Sequence, residues 1–243
     1  GLPALNWDFF TQLPAPTGQS GGGMGNAILG SLILIALACL VAVPLGIAGG
    51  LYLSEFSDGK TALFFRWAVD LLTSLPSIIV GLFVYAAIVR PMKSFSAYAG
   101  AAALAILMLP IVVKTTEEVL RLLPQHIREA GLALGLPRWR VILVVVLRSR
   151  MPAVMTGVVL ALGRIAGETA PLLITAFGNR NWPQALGEPT PSLPVQIYNY
   201  AISPFQDWHR QAWAGSLTLV VLIFALNIAA RGLFFRNTRN RGV

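Results

Sequence analysis

Charge is scarce in this chain. Of its 243 residues only 12% are Asp, Glu, Lys or Arg, and just ten are acidic. With 56% hydrophobic residues, this composition excludes an ordinary soluble domain, which carries about twice that share of charge. Cysteine occurs once, as Cys39. A disulfide framework and a cysteine-built metal site are therefore both excluded, and Cys39 suits a small packing group inside an apolar run. Histidine occurs twice, as His126 and His209, in segments that the charge distribution below sends to opposite faces of a membrane. HExxH is absent, and no nucleophile and base can be paired from spacing, so an intramembrane enzyme is not indicated. A glycine-rich phosphate loop is missing too.

Long apolar runs, by contrast, are plentiful. Crossing a bilayer takes about 20 largely apolar residues, and five stretches qualify: 26–53, 62–89, 97–113, 153–177 and 212–230. One such helix could be buried in a soluble core, but hardly five. The expected fold class is all-α: a polytopic helical bundle in a membrane. The net charge of +8 does not point to nucleic acid, because no basic surface is interleaved with aromatics. The basic residues sort by loop instead. Lys60, Arg66, Lys114, Arg121, Arg128, Arg138, Arg140, Arg148, Arg150, Arg231, Arg236, Arg239 and Arg241 fall on one side. Arg90, Lys93, Arg180 and Arg210 fall on the other, and Arg164 lies inside a run. Excess Lys and Arg marks the cytoplasmic side.

In chain order, residues 1–25 carry no Lys or Arg and read as an extracytoplasmic lead-in. They begin at Gly rather than Met, and a chain that starts outside needs something upstream to put it there, so a further N-terminal span is expected. Pro44, Gly46 and Gly50 give the first run a small-residue face for close helix packing. Arg66 and Asp70 are four apart, the spacing of a pair on one helix face. The segment 141–146 is too short to span, and between flanking arginines it reads as an interfacial elbow. The run 153–177 holds Arg164 and Glu168, again four apart. A charge at bilayer depth costs roughly 2.5–3.5 kcal/mol on insertion scales, so such residues face protein or water. The pair is either a structural ion pair or part of a path for an anion. Residues 178–211 form a long extracytoplasmic stretch whose aromatics argue for order at the membrane interface. Residues 236–243 read as a cytoplasmic tail.

The least membrane-like stretch is 114–152, on the cytoplasmic side. Pro124 suits a helix start, residues 125–134 are good helix formers, and Gly135-Leu136-Pro137 stops them. Ile127, Ala130 and Leu134 share a face, and Gly131 and Gly135 leave room for a second backbone. Glu129-Ala130-Gly131 with Gly135 four residues on resembles the EAA loop of ABC importer permeases. The end of the loop, Leu147-Arg148-Ser149-Arg150-Met151-Pro152, departs from the pattern of that family.

Other stretches, Leu75-Pro76-Ser77-Ile78, Gly167-Glu168-Thr169-Ala170-Pro171-Leu172-Leu173 and residues 193–204, resemble the phosphate-importing branch, and the likeness runs from about Asn6 onward. The sulfate and molybdate branches are the alternative. The resemblance implies a type I importer permease domain over 26–235, in a bacterial inner membrane. It also implies a heterodimer with a second permease subunit, two cytoplasmic ATPases that bind the ATP, and an extracytoplasmic binding protein. No cofactor is implied in the chain itself. Arg128, Glu129, Ala130, Gly131, Leu134 and Gly135 would then meet the ATPase, and Arg164, Glu168 and Thr169 would line the path. A self-contained channel or ion-coupled transporter would need no such loop.

Overall fold

The computed structural model describes residues 4–17, 19–56 and 59–239. Gly1, all of Arg241 and the side chains of Arg231, Arg236 and Arg239 lie outside the described residues. Ten helical segments follow one another: α1 (Trp7–Thr11), α2 (Gly25–Glu55), α3 (Lys60–Ser74), α4 (Ser77–Met92), α5 (Ala97–Arg121), α6 (Gln125–Ala133), α7 (Arg138–Ala166), α8 (Ala170–Leu173), α9 (Leu193–Ala201) and α10 (Gln206–Arg239). Four of them, α2, α5, α7 and α10, are long and apolar enough to cross a membrane, and the bent pair α3–α4 meets the same length and hydropathy only when its two helices are taken together. The all-α bundle expected from composition is what forms.

The core is built on α2 against α5. Leu34, Ala38 and Ala42 of α2 meet Leu104, Met108 and Val112 of α5, and Val154, Ala161 and Ile165 of α7 close the cluster. Glycines on α2 let the two backbones come close, which is how helices pack where lipid offers no hydrophobic contrast. A Cβ at Gly46 would stand 2.7 Å from the Val112 side chain, and one at Gly50 would stand 2.6 Å from the Val113 carbonyl oxygen. The outward faces are apolar: Leu40, Phe64, Phe83 and Ile228 are all exposed in the isolated chain. In a bilayer those faces meet lipid or other apolar helices.

Two runs expected to be continuous are broken. The run 62–89 bends by 104° between α3 and α4. Pro76 excludes its predecessor from helical backbone, and Leu75 is extended at ψ 134. The run 153–177 stops at Ala166, and after Gly167 the chain leaves helical register before the single turn of α8. Pro171 lies beyond the break, in the first turn of α8, where its missing N–H costs nothing.

Two further expectations are corrected. Residues 141–146 are no elbow but a π-helical stretch within α7, joined directly to the span that follows. Wider i→i+5 turns are a known accommodation of irregularity inside long helices, and Pro152 is carried a few residues further on. Arg66 and Asp70 do not pair with each other. Arg66 Nε donates to Glu117 at 2.6 Å and its Nη2 to the Leu53 carbonyl at 2.8 Å, while Asp70 takes Lys114 at 2.6 Å. Glu117 of α5 is nearly buried, and it is met by Arg66 across the contact with α3 and by Arg121 one turn on in its own helix at 3.0 Å.

The α2–α5 contact yields a test with an internal control. Gly50→Ala places a methyl against α5 backbone and the Thr116 Cβ at 2.5 Å, whereas at the neighbouring Gly49 the nearest atom is a Val113 methyl at 3.2 Å. We expect Gly50→Ala to lower stability by about 1–3 kcal/mol, as overpacking does. Gly49→Ala should be neutral or slightly stabilising through helix propensity. Thermal unfolding in detergent reads the difference.

Candidate functional site

Two places combine charge with irregular backbone, one where α7 ends and one at α6. The Cβ position of Gly157 on α7 faces Thr115 of α5 at 2.3–2.6 Å, and Ile165 lines a small space together with Leu104 of α5. Leu104 is seven residues in from the outer end of α5, about 10 Å at helical rise. The end of α7 therefore stops well short of the Ala97 end of α5, at a depth within the bundle, and its first half, with Arg138, Arg140, Arg148 and Arg150, lies towards the Arg121 end. The chain reaches the Ala97 end only near Thr175, whose carbonyl accepts from the Ser96 N–H at 3.2 Å.

Non-helical backbone at membrane depth is tolerated only where protein buries it or water reaches it. At this break stand all three residues assigned to the path. Arg164 is in the last turn of α7 and half exposed, and Glu168 lies just beyond the helix end. Their closest approach is 3.9 Å, longer than a hydrogen bond. Thr169 caps the start of α8 and its hydroxyl is 3.5 Å from the Gly167 carbonyl. Among the described residues the Arg164 guanidinium makes no hydrogen bond. A half-exposed cation at this depth, loosely paired, faces water or a neighbouring subunit rather than lipid. Helix ends that stop inside the membrane are where transporters place charged substrates.

The second place is α6. The sequence puts a helix over 125–134, and α6 runs Gln125–Ala133. It ends as expected at Gly135, with φ +77, a conformation glycine adopts freely. The Gly135 N–H donates to the Leu132 carbonyl at 2.9 Å and the Leu136 N–H to the Gly131 carbonyl at 3.4 Å. This pair of bonds is a Schellman cap.

Arg128 does not face outward. Its guanidinium reaches both Glu55 oxygens at 2.9–3.3 Å and also donates to the carbonyls of Leu123 and Leu120 at 2.6 and 3.0 Å. One side chain thus ties α6 to the end of α2 and to the last carbonyls of α5. Glu55 was missed from the sequence, where it is simply the last residue before a loop; its only signal was a lone acid closing an uncharged span. Gly131 is buried, and its open side faces Val141 of α7 at 3.1 Å rather than another molecule. The exposed part of α6 and its flanks consists of Gln125, His126, Glu129, Ala130, Leu132 and Leu134, with Leu122 before it and Trp139 after it. Leu134 is 81% exposed. Arg138 supports this surface by lying 5.0 Å over the Phe56 ring.

Comparison with known proteins agrees with this architecture. Residues 42–239 match the family described as binding-protein-dependent transport system inner membrane component. The chain is 46% identical over 239 residues to a phosphate transport system permease protein PstA of Xylella fastidiosa, covering 98% of this chain and 83% of that protein. It is 45% identical over 235 residues to the PstA protein of Yersinia pestis, covering 96% and 80% respectively. A PstA 1 protein of Mycobacterium tuberculosis is 36% identical over 225 residues, covering 92% of this chain and 73% of the other. Among solved structures, a chain of the methionine ABC transporter MetNI in an inward-facing conformation superposes with a TM-score of 0.68 at 16% identity. That match covers 86% of this chain and 91% of the other, and at this identity it speaks to fold alone.

The Arg128–Glu55 contact can be tested by a double-mutant cycle. Removing one partner of a buried ion pair costs about 3–5 kcal/mol because the other charge is left unpaired. We expect Arg128→Gln to be the more damaging single change, since it also removes a donor from the carbonyls of Leu120 and Leu123. Glu55→Gln should cost less, and the double change less than the two singles together. Unfolding of the purified subunit complex measures all three.

Proposed function

Because the chain belongs to the binding-protein-dependent transport system inner membrane components, we propose that it is a permease subunit of an ATP-driven importer of inorganic phosphate, embedded in the bacterial inner membrane. It is a multi-pass membrane transport subunit. One observation carries the substrate: identity of 45–46% to PstA phosphate permeases over 96–98% of the chain.

Within this reading the chain supplies half of the translocation path, a second permease subunit supplies the rest, and an extracytoplasmic binding protein delivers the anion. ATP is bound and hydrolysed by two cytoplasmic ATPases. Arg164 provides positive potential within the membrane. Glu168 offsets it without sealing it in a tight pair, so that the anion is attracted but released. The loose 3.9 Å contact and the uncommitted guanidinium support that role over a purely structural pair.

The ATPase docks on the exposed apolar residues of α6, with Leu134 and Leu132 as anchors. Glu129 and Ala130 lie on the same outward surface, as does Gly135, while Arg128 and Gly131 act from within. Arg128 holds the helix to α2 and α5, Gly131 seats it against α7, and Gly135 ends it. A movement of the ATPase is thereby passed to the core helices.

Reconstituted with its partners in proteoliposomes, the complex should take up labelled phosphate on addition of ATP, and excess unlabelled phosphate should abolish the signal. Competition by sulfate or molybdate in preference to phosphate would overturn the substrate. In the same assay, Arg164→Gln should reduce uptake by an order of magnitude or more. The double change Arg164→Gln with Glu168→Gln should assemble normally and remain inactive; full activity of the double variant would remove the pair from the path.

Leu134→Glu tests the docking surface. The side chain is exposed, so thermal unfolding of the permease should not change. Co-purification of the ATPase should fall sharply, because a charge would be desolvated against an apolar groove. Unchanged association would move the interface elsewhere.

A further inference from the structure

A cavity of about 340 Å³ opens on the extracytoplasmic side, between the segment that leaves α8 and the helix pair α9 and α10. Its lining includes Arg180, Asn179, Gln196 and Asn199, and none of its lining residues is acidic. Leu173, Phe177 and Val195 supply its apolar part. We propose that this cavity is a receiving site for a small oxyanion, inorganic phosphate, outside the membrane and separate from the charged break at Arg164. The identity of the oxyanion rests on the substrate reading above; the site itself rests on these residues.

The walls are fixed by contacts that do not use up their donors. Arg180 lies 5.6 Å over the Trp208 ring and gives one N–H to the Thr17 hydroxyl at 3.2 Å. Among the described residues it has no carboxylate partner, and a guanidinium carries five N–H donors. Trp208 is itself stacked on Tyr200, with ring centroids 4.5 Å apart. Asn179 is held by a 2.6 Å bond to the Pro189 carbonyl, and its own carbonyl and that of Asn181 receive the Asn26 amide. Gln196 is nine-tenths buried beside Tyr200. Burial pushes the Tyr200 phenol up, while the Gln196 amide and the Arg180 guanidinium pull it partly back. Asn199 is exposed at the rim.

A cation held against an aromatic face, ringed by amides and without a competing acid, suits an oxyanion. Arginine binds such groups with charge-assisted bonds roughly twice as strong as neutral ones, and amides accept or donate as the protonation of the anion requires. The cavity adjoins the outer end of the segment that leads from α8, so an anion held there is close to the mouth of the broken span without occupying it.

The test is equilibrium binding of labelled inorganic phosphate to the assembled transporter in nanodiscs, without the external binding protein. Arg180→Gln should weaken binding by roughly tenfold or more, the loss expected for a hydrogen bond to a charged group. Asn199→Asp keeps the stacked aromatics intact and places a negative charge at the rim, so it should weaken binding in the same direction. Arg164→Gln should leave this binding in place even where transport is lost. Saturable binding with that pattern supports the site, and preference for sulfate with the same pattern supports it while overturning the substrate reading. Equal phosphate binding by the wild type, Arg180→Gln and Asn199→Asp would overturn it. So would loss of binding in Arg164→Gln alone. Absence of saturable anion binding, with Arg180→Gln instead weakening association of the external binding protein, would assign the pocket to a carboxylate of that partner and end the proposal.

Discussion

The contact on which the cytoplasmic half depends is the one between Arg128 and Glu55. Glu55 terminates α2, the helix that makes the largest contact in the core, and its side chain is only 8% exposed. A carboxylate so placed is costly unless its charge is met and its oxygens are bonded. Arg128 meets it with a forked guanidinium, a geometry that lysine could not reproduce. The same group takes the carbonyl of Leu120, which it shares with the Leu123 N–H, and that of Leu123 just beyond the end of α5. Three helices therefore share one ion. A short helix projecting from a membrane protein would ordinarily be free to swing; here it can move only if α2 and α5 move with it. That rigidity is what a coupling element requires, because work done at its surface must reach the bundle.

A second constraint acts inside the bilayer. A helix that stops there leaves carbonyls without partners, and lipid cannot supply them. The chain nevertheless breaks at Leu75–Pro76 and at Gly167–Thr169. The segments after the two breaks then meet: the Cβ position of Gly81 on α4 lies 2.7 Å from the Pro171 Cα of α8. Each break thus borrows order from the other, and together they leave Arg164 and Glu168 beside a gap in regular structure instead of along an unbroken helix. A continuous helix would have set the two residues one turn apart on one face and favoured a close pair. The break separates them enough to keep the pair weak.

The all-α architecture was legible because the signal that encodes it is long: runs of some twenty apolar residues. Helix α6 was legible too, from Pro124 to Gly135, because start and stop residues act locally. What could not be read was which residue meets which across helices. The spacing of Arg66 and Asp70 fits a pair within α3, yet both turn to α5, because a buried Glu117 and a nearby Lys114 are invisible to periodicity. Arg128 sits among residues assigned to the docking surface, and only the position of Glu55 in space turns it inward. The end of α7 was hidden for a different reason. Gly167-Glu168-Thr169 has a low helix propensity, but the apolar residues on either side carry the hydropathy straight through, so the window that detects spans cannot see the break.

The glycines show how one residue type serves three separate needs in a single coupling unit. Gly50 brings α2 against α5, Gly131 brings α6 against α7, and Gly135 turns the chain through a left-handed conformation. The first two need space and the third needs backbone freedom, so an added methyl meets a different limit at each position. At Gly50 the added methyl meets a carbonyl oxygen that cannot retreat without moving α5. At Gly131 it meets the flexible Val141 side chain, which can give by a few tenths of an ångström. At Gly135 nothing is nearby, and the cost is entirely conformational. A substitution at Gly131 or Gly135 therefore acts first on how α6 is seated against α7 and how it ends.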